Sequence, residues 1–292
     1  MCRGFGSPAR ATLDESISGE GIDDASISSD VVTEKEIVLE RLQGKPVEII
    51  QARMKMLGAN YPFEFNDRSL TLKPDSPRIY EGMLAIAKMV HDSGEDSVAQ
   101  YTIAFERMAM VAASVAMGEG TESYRMGHPP DGDRPVKFIE AVRELHGRTG
   151  EFFLDLSANY GFDDPKETNK IKDGGIDFVV WKKSIDSRVG MITALGQCAC
   201  GGNFKRKGAD IDEVRLNQLI RPISFAMPFL KLFAVPYMID DEISWRRLNT
   251  SHGLILDRAR ITMLVAKSKE SARVTKEMKK IIDESRGINR SH

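Results

Sequence analysis

A chain of 292 residues is long enough to bury a substantial core, in one large or two smaller domains. With 41% hydrophobic and 29% charged residues it reads as a soluble globular protein, and no apolar run approaches the roughly 20 residues that cross a bilayer. A formal net charge of -2 argues against non-specific coating of nucleic acid, and Met1 to Ser29 lacks the apolar core of a signal peptide, so a cytoplasmic protein without a membrane partner is expected.

Residues 1–30, rich in Ser, Gly, Asp and Glu, read as a disordered acidic tail; from Asp14 to Glu40 nine acids face Lys35 alone. Residues 31–95 read as a mainly helical N-terminal region. Glu34 to Leu57 has a helical pattern broken near Gly44-Lys45-Pro46, Pro62 to Lys73 is a small hairpin turning at Asn66-Asp67, and Arg78 to His91 is an amphipathic helix. Asp96 to Met117 spaces Val98, Ile103, Phe105, Met108, Val111 and Val115 as an apolar stripe, with Glu106 inside it. A further helix runs from Val136 to His146 and carries Glu140, and Glu151 opens the next segment. Helical glutamates are usually solvated, so none of the three acids stands out on composition alone.

Two short runs, Ile176 to Trp181 and Met191 to Leu195, are rich in β-branched and aromatic residues, and Ser184 to Gly190 between them holds Ser, Asp and Gly. They predict a β-hairpin. Asp177 opens the first strand, and a carboxylate on so apolar a strand is costly to desolvate without a cation or hydrogen-bond donors. Asp173-Gly174-Gly175 before it reads as a turn, and Gln197 is the lone polar residue ending the second strand. Cys198 and Cys200 read as reduced thiols packed in the sheet. The histidines show no ligand spacing, and no phosphate loop or nucleophile elbow is present. Beyond the hairpin, Ile211 to Ile220 reads as helix, Phe225 to Ile239 as a strand pair interrupted by Pro228 and Pro236, and Leu254 to Ala266 as strand or helix. From Lys267 to Arg290 eight Lys/Arg face four acids. This run is read either as a phosphate-holding surface or as a solvated amphipathic helix, Ser268 to Arg286, with internal pairs such as Glu277 with Lys280.

The elements Asp173-Gly-Gly-Ile-Asp177 and Gly196-Gln197-Cys198-Ala199 resemble the signature of the PD-(D/E)XK nuclease superfamily, and within it restriction endonucleases of the Mrr kind. The likeness covers roughly residues 100 to 210, and its specific part spans Asp173 to Ala199. It implies an α/β (α+β) fold, a restriction-endonuclease-like mixed sheet flanked by helices, over residues 96–292. It also implies a Mg²⁺-dependent (or Mn²⁺-dependent) DNA endonuclease that hydrolyses phosphodiester bonds, as the effector of an anti-phage or restriction system. On that resemblance Asp177, Glu106 and the carbonyl of Cys198 are the metal ligands. Asp177 and Gln197 belong to the catalytic motif. By charge and position alone, Lys205-Arg206-Lys207, immediately after the motif, is the expected phosphate-holding, nucleic-acid-binding run. Implied partners are DNA, a sensor or ATPase subunit and a second copy of the chain, since one site cuts one strand.

One position departs from the pattern: where the family has its lysine, this chain has Ala199. Two readings stay open. Either a lysine comes from nearby, with Lys205 preferred to Lys207 and Lys182, or the chain is a catalytically inactive nuclease-fold subunit acting in DNA binding or assembly.

Overall fold

The structure, a computed structural model, describes residues 46–66, 69–93, 98–151, 174–186, 188–202, 204, 211 and 227–288. The expected acidic tail, Asp173, Lys205, Arg206, Lys207 and residues 212–220 of an expected helix lie outside the described residues. The chain divides at Gln51, and the unit from Ala52 onward holds both sheets and the candidate site.

The β-branched runs assemble into one five-stranded mixed sheet. Its strands, in spatial order, are β3 (Thr121–Arg125), β4 (Phe178–Lys182), β5 (Ile192–Cys198), β6 (Leu230–Ala234) and β7 (Leu254–Leu256). β3, β4 and β5 pair antiparallel, whereas β5, β6 and β7 pair parallel. The expected hairpin is thus the β4–β5 pair. A separate hairpin of β1 (Phe63–Asn66) and β2 (Ser69–Leu72) places Asn66 opposite Ser69, as its turn residues predict.

Two expectations change. Phe225 to Ile239 does not give a strand pair. Among its described residues there is one strand, β6, lying between Pro228 and Pro236, because proline has no N–H to give to the ladder of a strand paired on both sides. Leu254 to Ala266 is both strand and helix: it divides at Asp257, whose carboxylate accepts from Arg260 N–H at 2.9 Å and caps the helix that follows β7.

Among the described residues there are seven α-helices: α1 (residues 46–57), α2 (Ile79–Ser93), α3 (Ala99–Met117), α4 (Phe138–Thr149), α5 (Glu242–His252), α6 (Arg258–Ala266) and α7 (Ser271–Ile288). Strand alternation sorts them onto two faces. Phe178, Val180, Ala194, Leu232, Ala234 and Leu256 meet α2, α3, α6 and α7 in one cluster. Val179, Trp181 and Leu195 meet α4, and Phe233, Val235 and Ile255 meet α5. Ala109, Ala112 and Ala113 let α3 lie close on the sheet.

The basic C-terminal helix is not wholly solvated. Val274, Met278, Ile281 and Ile282 are buried, and Met278 sits so close to α2 that a Cβ on Gly82 would lie 2.6 Å from its sulfur. Glu277 pairs with Arg107 at 3.5 Å and with Arg273 at 3.7 Å instead of with Lys280, whose partner is Glu284.

Candidate active site

The β4–β5 register fixes the centre of the site. The ladder register ends with Phe178 facing Gly196, and Asp177, the residue before β4, donates its N–H to the Gly196 carbonyl at 2.9 Å. Asp177 is anchored on every side. Its carbonyl accepts from the N–H groups of Met126 (2.7 Å) and Gly127 (2.9 Å), and its Oδ2 accepts from Cys198 N–H at 2.6 Å. Gly196 is required here: a Cβ at this position would lie 2.1 Å from the Phe178 ring.

Glu106 reaches the site from α3. It is buried, and its Oε2 accepts from Arg125 Nε at 2.6 Å. The approach depends on Gly127, where a Cβ would fall 2.2 Å from the same oxygen. Cys198 reports the electrostatics at the meeting point. Burial pushes its thiol well above the ordinary range, the Asp177 and Glu106 carboxylates push it further, and Arg125 opposes them. Gly127 links the two acids by geometry: its N–H donates to the Asp177 carbonyl, and its Cα stands against the Glu106 carboxylate. Strand alternation puts Gln197 on the other face, with Leu195 and Ala199, where it is 5% exposed. The structure thus joins Asp177 to Cys198 by a backbone N–H and to Glu106 through Gly127, and sets Gln197 on the other face of β5.

The remaining acids have other work. Glu140 is exposed, 3.7 Å from Lys137. Glu151 is buried and accepts from the N–H groups of Gly190 (2.5 Å) and Met191 (3.1 Å), closing the turn into β5. Among the lysines, Lys182 ends β4 opposite Thr121 and Ile192. Five residues of strand from Asp177 put it about 17 Å away at a strand's rise. Lys205 and Lys207 lie outside the described residues, but Phe204 just before them stacks on Tyr237, with ring centres 5.2 Å apart. Ala199 is 1% exposed and packs in the cluster of Phe233, Val235, Leu248 and Ile255, so an unpaired lysine at that position would bury its charge in an apolar core.

Comparison with known proteins adds little to this geometry. No family model matches the chain, and no curated protein matches it. A solved structure of the MspJI restriction endonuclease in complex with a 27-mer oligonucleotide is similar at 12% identity and a TM-score of 0.34, covering 76% of this chain and 39% of that one. The chain spans about two fifths of that protein's length. At this score the likeness carries no residue correspondence, and the site rests on its own contacts.

Those contacts centre on a residue that the sequence did not single out. The Arg125 side chain is 2% exposed; besides Glu106 it donates through Nη1 to the Pro129 carbonyl at 2.7 Å and to Asp131 at 3.2 Å. Asp131 also takes Arg107 at 2.7 Å. On the far side of Arg125 a cavity of about 360 Å³ opens over the β3 edge, lined by Ser123, Tyr124, Asp131, Arg134 and Arg148. The Tyr124 phenol is held far above its usual range by burial and by its hydrogen bond to Glu144 at 2.9 Å.

Among the described residues, no three His, Cys, Asp or Glu side chains form a group that could hold a metal ion by themselves. What is present fits a hard cation that takes two protein carboxylates and completes its shell with water: Asp177 and Glu106 supply charged oxygen, and the one soft ligand nearby, Cys198, is held as a neutral thiol. No helix of the described chain is long and apolar enough to cross a membrane.

Proposed function

We propose that the chain is a nuclease of the restriction-endonuclease type that hydrolyses DNA phosphodiester bonds with Mg²⁺ or Mn²⁺, in the setting of an anti-phage or restriction system. The observation that carries this reading is the junction at Asp177: an acid at the mouth of the β4–β5 pair whose carboxylate accepts from Cys198 N–H and whose carbonyl accepts from Gly127 N–H, with a second acid, Glu106, brought in on α3 against Gly127. When bound, the cation supplies charge neutralisation at phosphorus and a more acidic attacking water. The residues' own tasks follow from their anchoring. The Cys198 N–H and the backbone bonds of residues 126 and 127 hold Asp177 in one orientation, so its carboxylate needs no reordering to bind a cation. Glu106 is the second ligand. The Cys198 carbonyl, at the end of β5, is a third oxygen for the same site, and Gln197 is the motif residue next to it, on the other face of β5. Lys205 remains the proposed source of the cation that Ala199 cannot provide, with Lys205, Arg206 and Lys207 contacting the phosphate backbone.

A second reading has an observation of its own: Ala199 is packed in the core, and Arg125 already neutralises Glu106, as expected of a nuclease-fold subunit that binds DNA without cutting it. Plasmid cleavage with Mg²⁺ or Mn²⁺ separates the two. The nuclease reading expects nicking or linearisation by wild type and a loss of at least about a hundredfold in Asp177→Ala, the scale of removing a main electrostatic contributor. Equal rates in both rule out the site, and no cleavage by either, with DNA still bound, leaves the non-catalytic reading.

A further inference from the structure

Arg125 is almost completely withdrawn from water, and a guanidinium so placed is tolerable only with carboxylate partners. It has two, on different edges of the guanidinium: Glu106 on Nε and Asp131 on Nη1. They differ in situation. Glu106 is buried against Gly127, whose N–H holds the Asp177 carbonyl, whereas Asp131 is 37% exposed on the loop over β3, shared with Arg107, which in turn reaches Glu277 on α7. The Pro129 carbonyl takes a further Nη1 hydrogen. A cation that drew Glu106 away would therefore leave Arg125 with a carboxylate and a carbonyl, not stranded.

We infer that Arg125 is a positioning residue of this site, holding Glu106 by the same carboxylate a divalent cation takes, so that guanidinium and metal compete for it. The inference rests on the metal-site reading above. In the metal-free protein Arg125 neutralises Glu106 and fixes it against Gly127. When metal enters, Arg125 shifts its share of charge toward Asp131. Metal affinity is then set from outside the ligand shell, and the two partners of Arg125 act in opposite senses. Removing the guanidinium must tighten metal binding. Removing Asp131 must weaken it, since Arg125 then has only Glu106 to hold.

Mn²⁺ binding to the full chain, followed by calorimetry and by the electron paramagnetic signal of unbound Mn²⁺, tests this. Arg125→Gln is expected to bind Mn²⁺ about tenfold or more tightly, the scale of removing a unit charge a few ångströms away in a partly desolvated site. Arg125→Lys keeps the charge and stays near wild type. Asp131→Asn, on an exposed loop, weakens binding several-fold and keeps the inference testable if Arg125→Gln does not fold. A purely structural Arg125 would leave its own Nε–H resonance unmoved by Mg²⁺, whereas competition shifts it as Glu106 is withdrawn. Affinities of Arg125→Gln and Asp131→Asn within twofold of wild type, or an Nε–H signal indifferent to Mg²⁺, overturn the inference while leaving the metal site standing. Mn²⁺ binding unaffected by Asp177→Ala, or absent from every variant, overturns the metal-site reading and the inference with it.

Discussion

Single atoms decide this site. Gly196 is a case where the sequence names the residue and only the packing explains it: its missing Cβ is the space occupied by the Phe178 ring, 2.1 Å away, and Phe178 is fully buried. Gly196→Ala must push that ring or the β4–β5 ladder aside, so a loss of about 1–3 kcal/mol in urea unfolding is expected, the usual cost of overpacking. Phe178→Leu in the same chain should recover part of it, because it gives the methyl group room; a fully additive loss would mean that the ring is not the obstacle. Asp131 gives a prediction in pH. Burial acts to raise its pKa, but the hydrogen bond from Arg107 and the charges of Arg125 and Arg107 outweigh burial and lower it below the ordinary aspartate value. A carboxyl lowered on folding contributes stability above its unfolded pKa and loses it as pH falls through the folded one. Asp131→Asn should therefore be less stable than wild type at neutral pH, with the gap closing below about pH 4, where unfolded aspartates take up protons. A gap that is constant from pH 7 to pH 3 would show that the charge of Asp131 is not what stabilises.

At the scale of elements, legibility followed the locality of the signal. The β4–β5 pair, the small β1–β2 hairpin and helices α2, α3 and α4 were readable because apolar period and turn chemistry are written within a dozen residues. β5 runs on to Cys198, as expected of a strand carrying Gln197, and its far end is held by the pairing of Gln197 and Cys198 with β6, a strand that starts over thirty residues later in the chain. β6 was misread because prolines just outside a short strand look, in sequence, like breaks within it. The docking of α7 was hidden for a similar reason: its lysines dominate its composition, while Val274, Met278, Ile281 and Ile282 occupy one narrow stripe whose partner, α2, lies almost 200 residues earlier. Within the site, the placing of Asp177 beside the first strand and Gln197 on the second was legible from the apolar runs on either side of Ser184 to Gly190. The Glu106–Arg125 pair was not. It joins α3 to β3 across 19 residues, and nothing in the local pattern of Thr121–Arg125 distinguishes a buried guanidinium from a surface one.

The whole molecule turns on how far its main core extends along the chain. The sequence suggests a helical N-terminal region ending near residue 95 and a nuclease domain beginning at 96. Yet the cluster that supports Phe178 and Val180 draws Ile79, Met83, Ile86, Met89 and Val90 from α2, and α2 in turn covers Met278 of α7 and receives Arg286 on Glu81 at 2.8 Å. Truncation puts the boundary to the test. Removing α2 exposes the partners of five buried apolar side chains, each contributing about 1.5–3 kcal/mol, so the loss is on the order of 10 kcal/mol. Whole domains are stable by only about 5–15 kcal/mol, so a loss of this size consumes most or all of the total. A chain of residues 96–292 is therefore expected to lose its cooperative urea transition and to bind hydrophobic dye, whereas residues 46–292, which keep α2 and its contacts with α7, should unfold in one step with a midpoint close to that of the full chain. If residues 96–292 unfold with the same midpoint as 46–292, α2 is an appendage, the boundary near 95 stands, and α7 must find its stability on α3 and α6 alone.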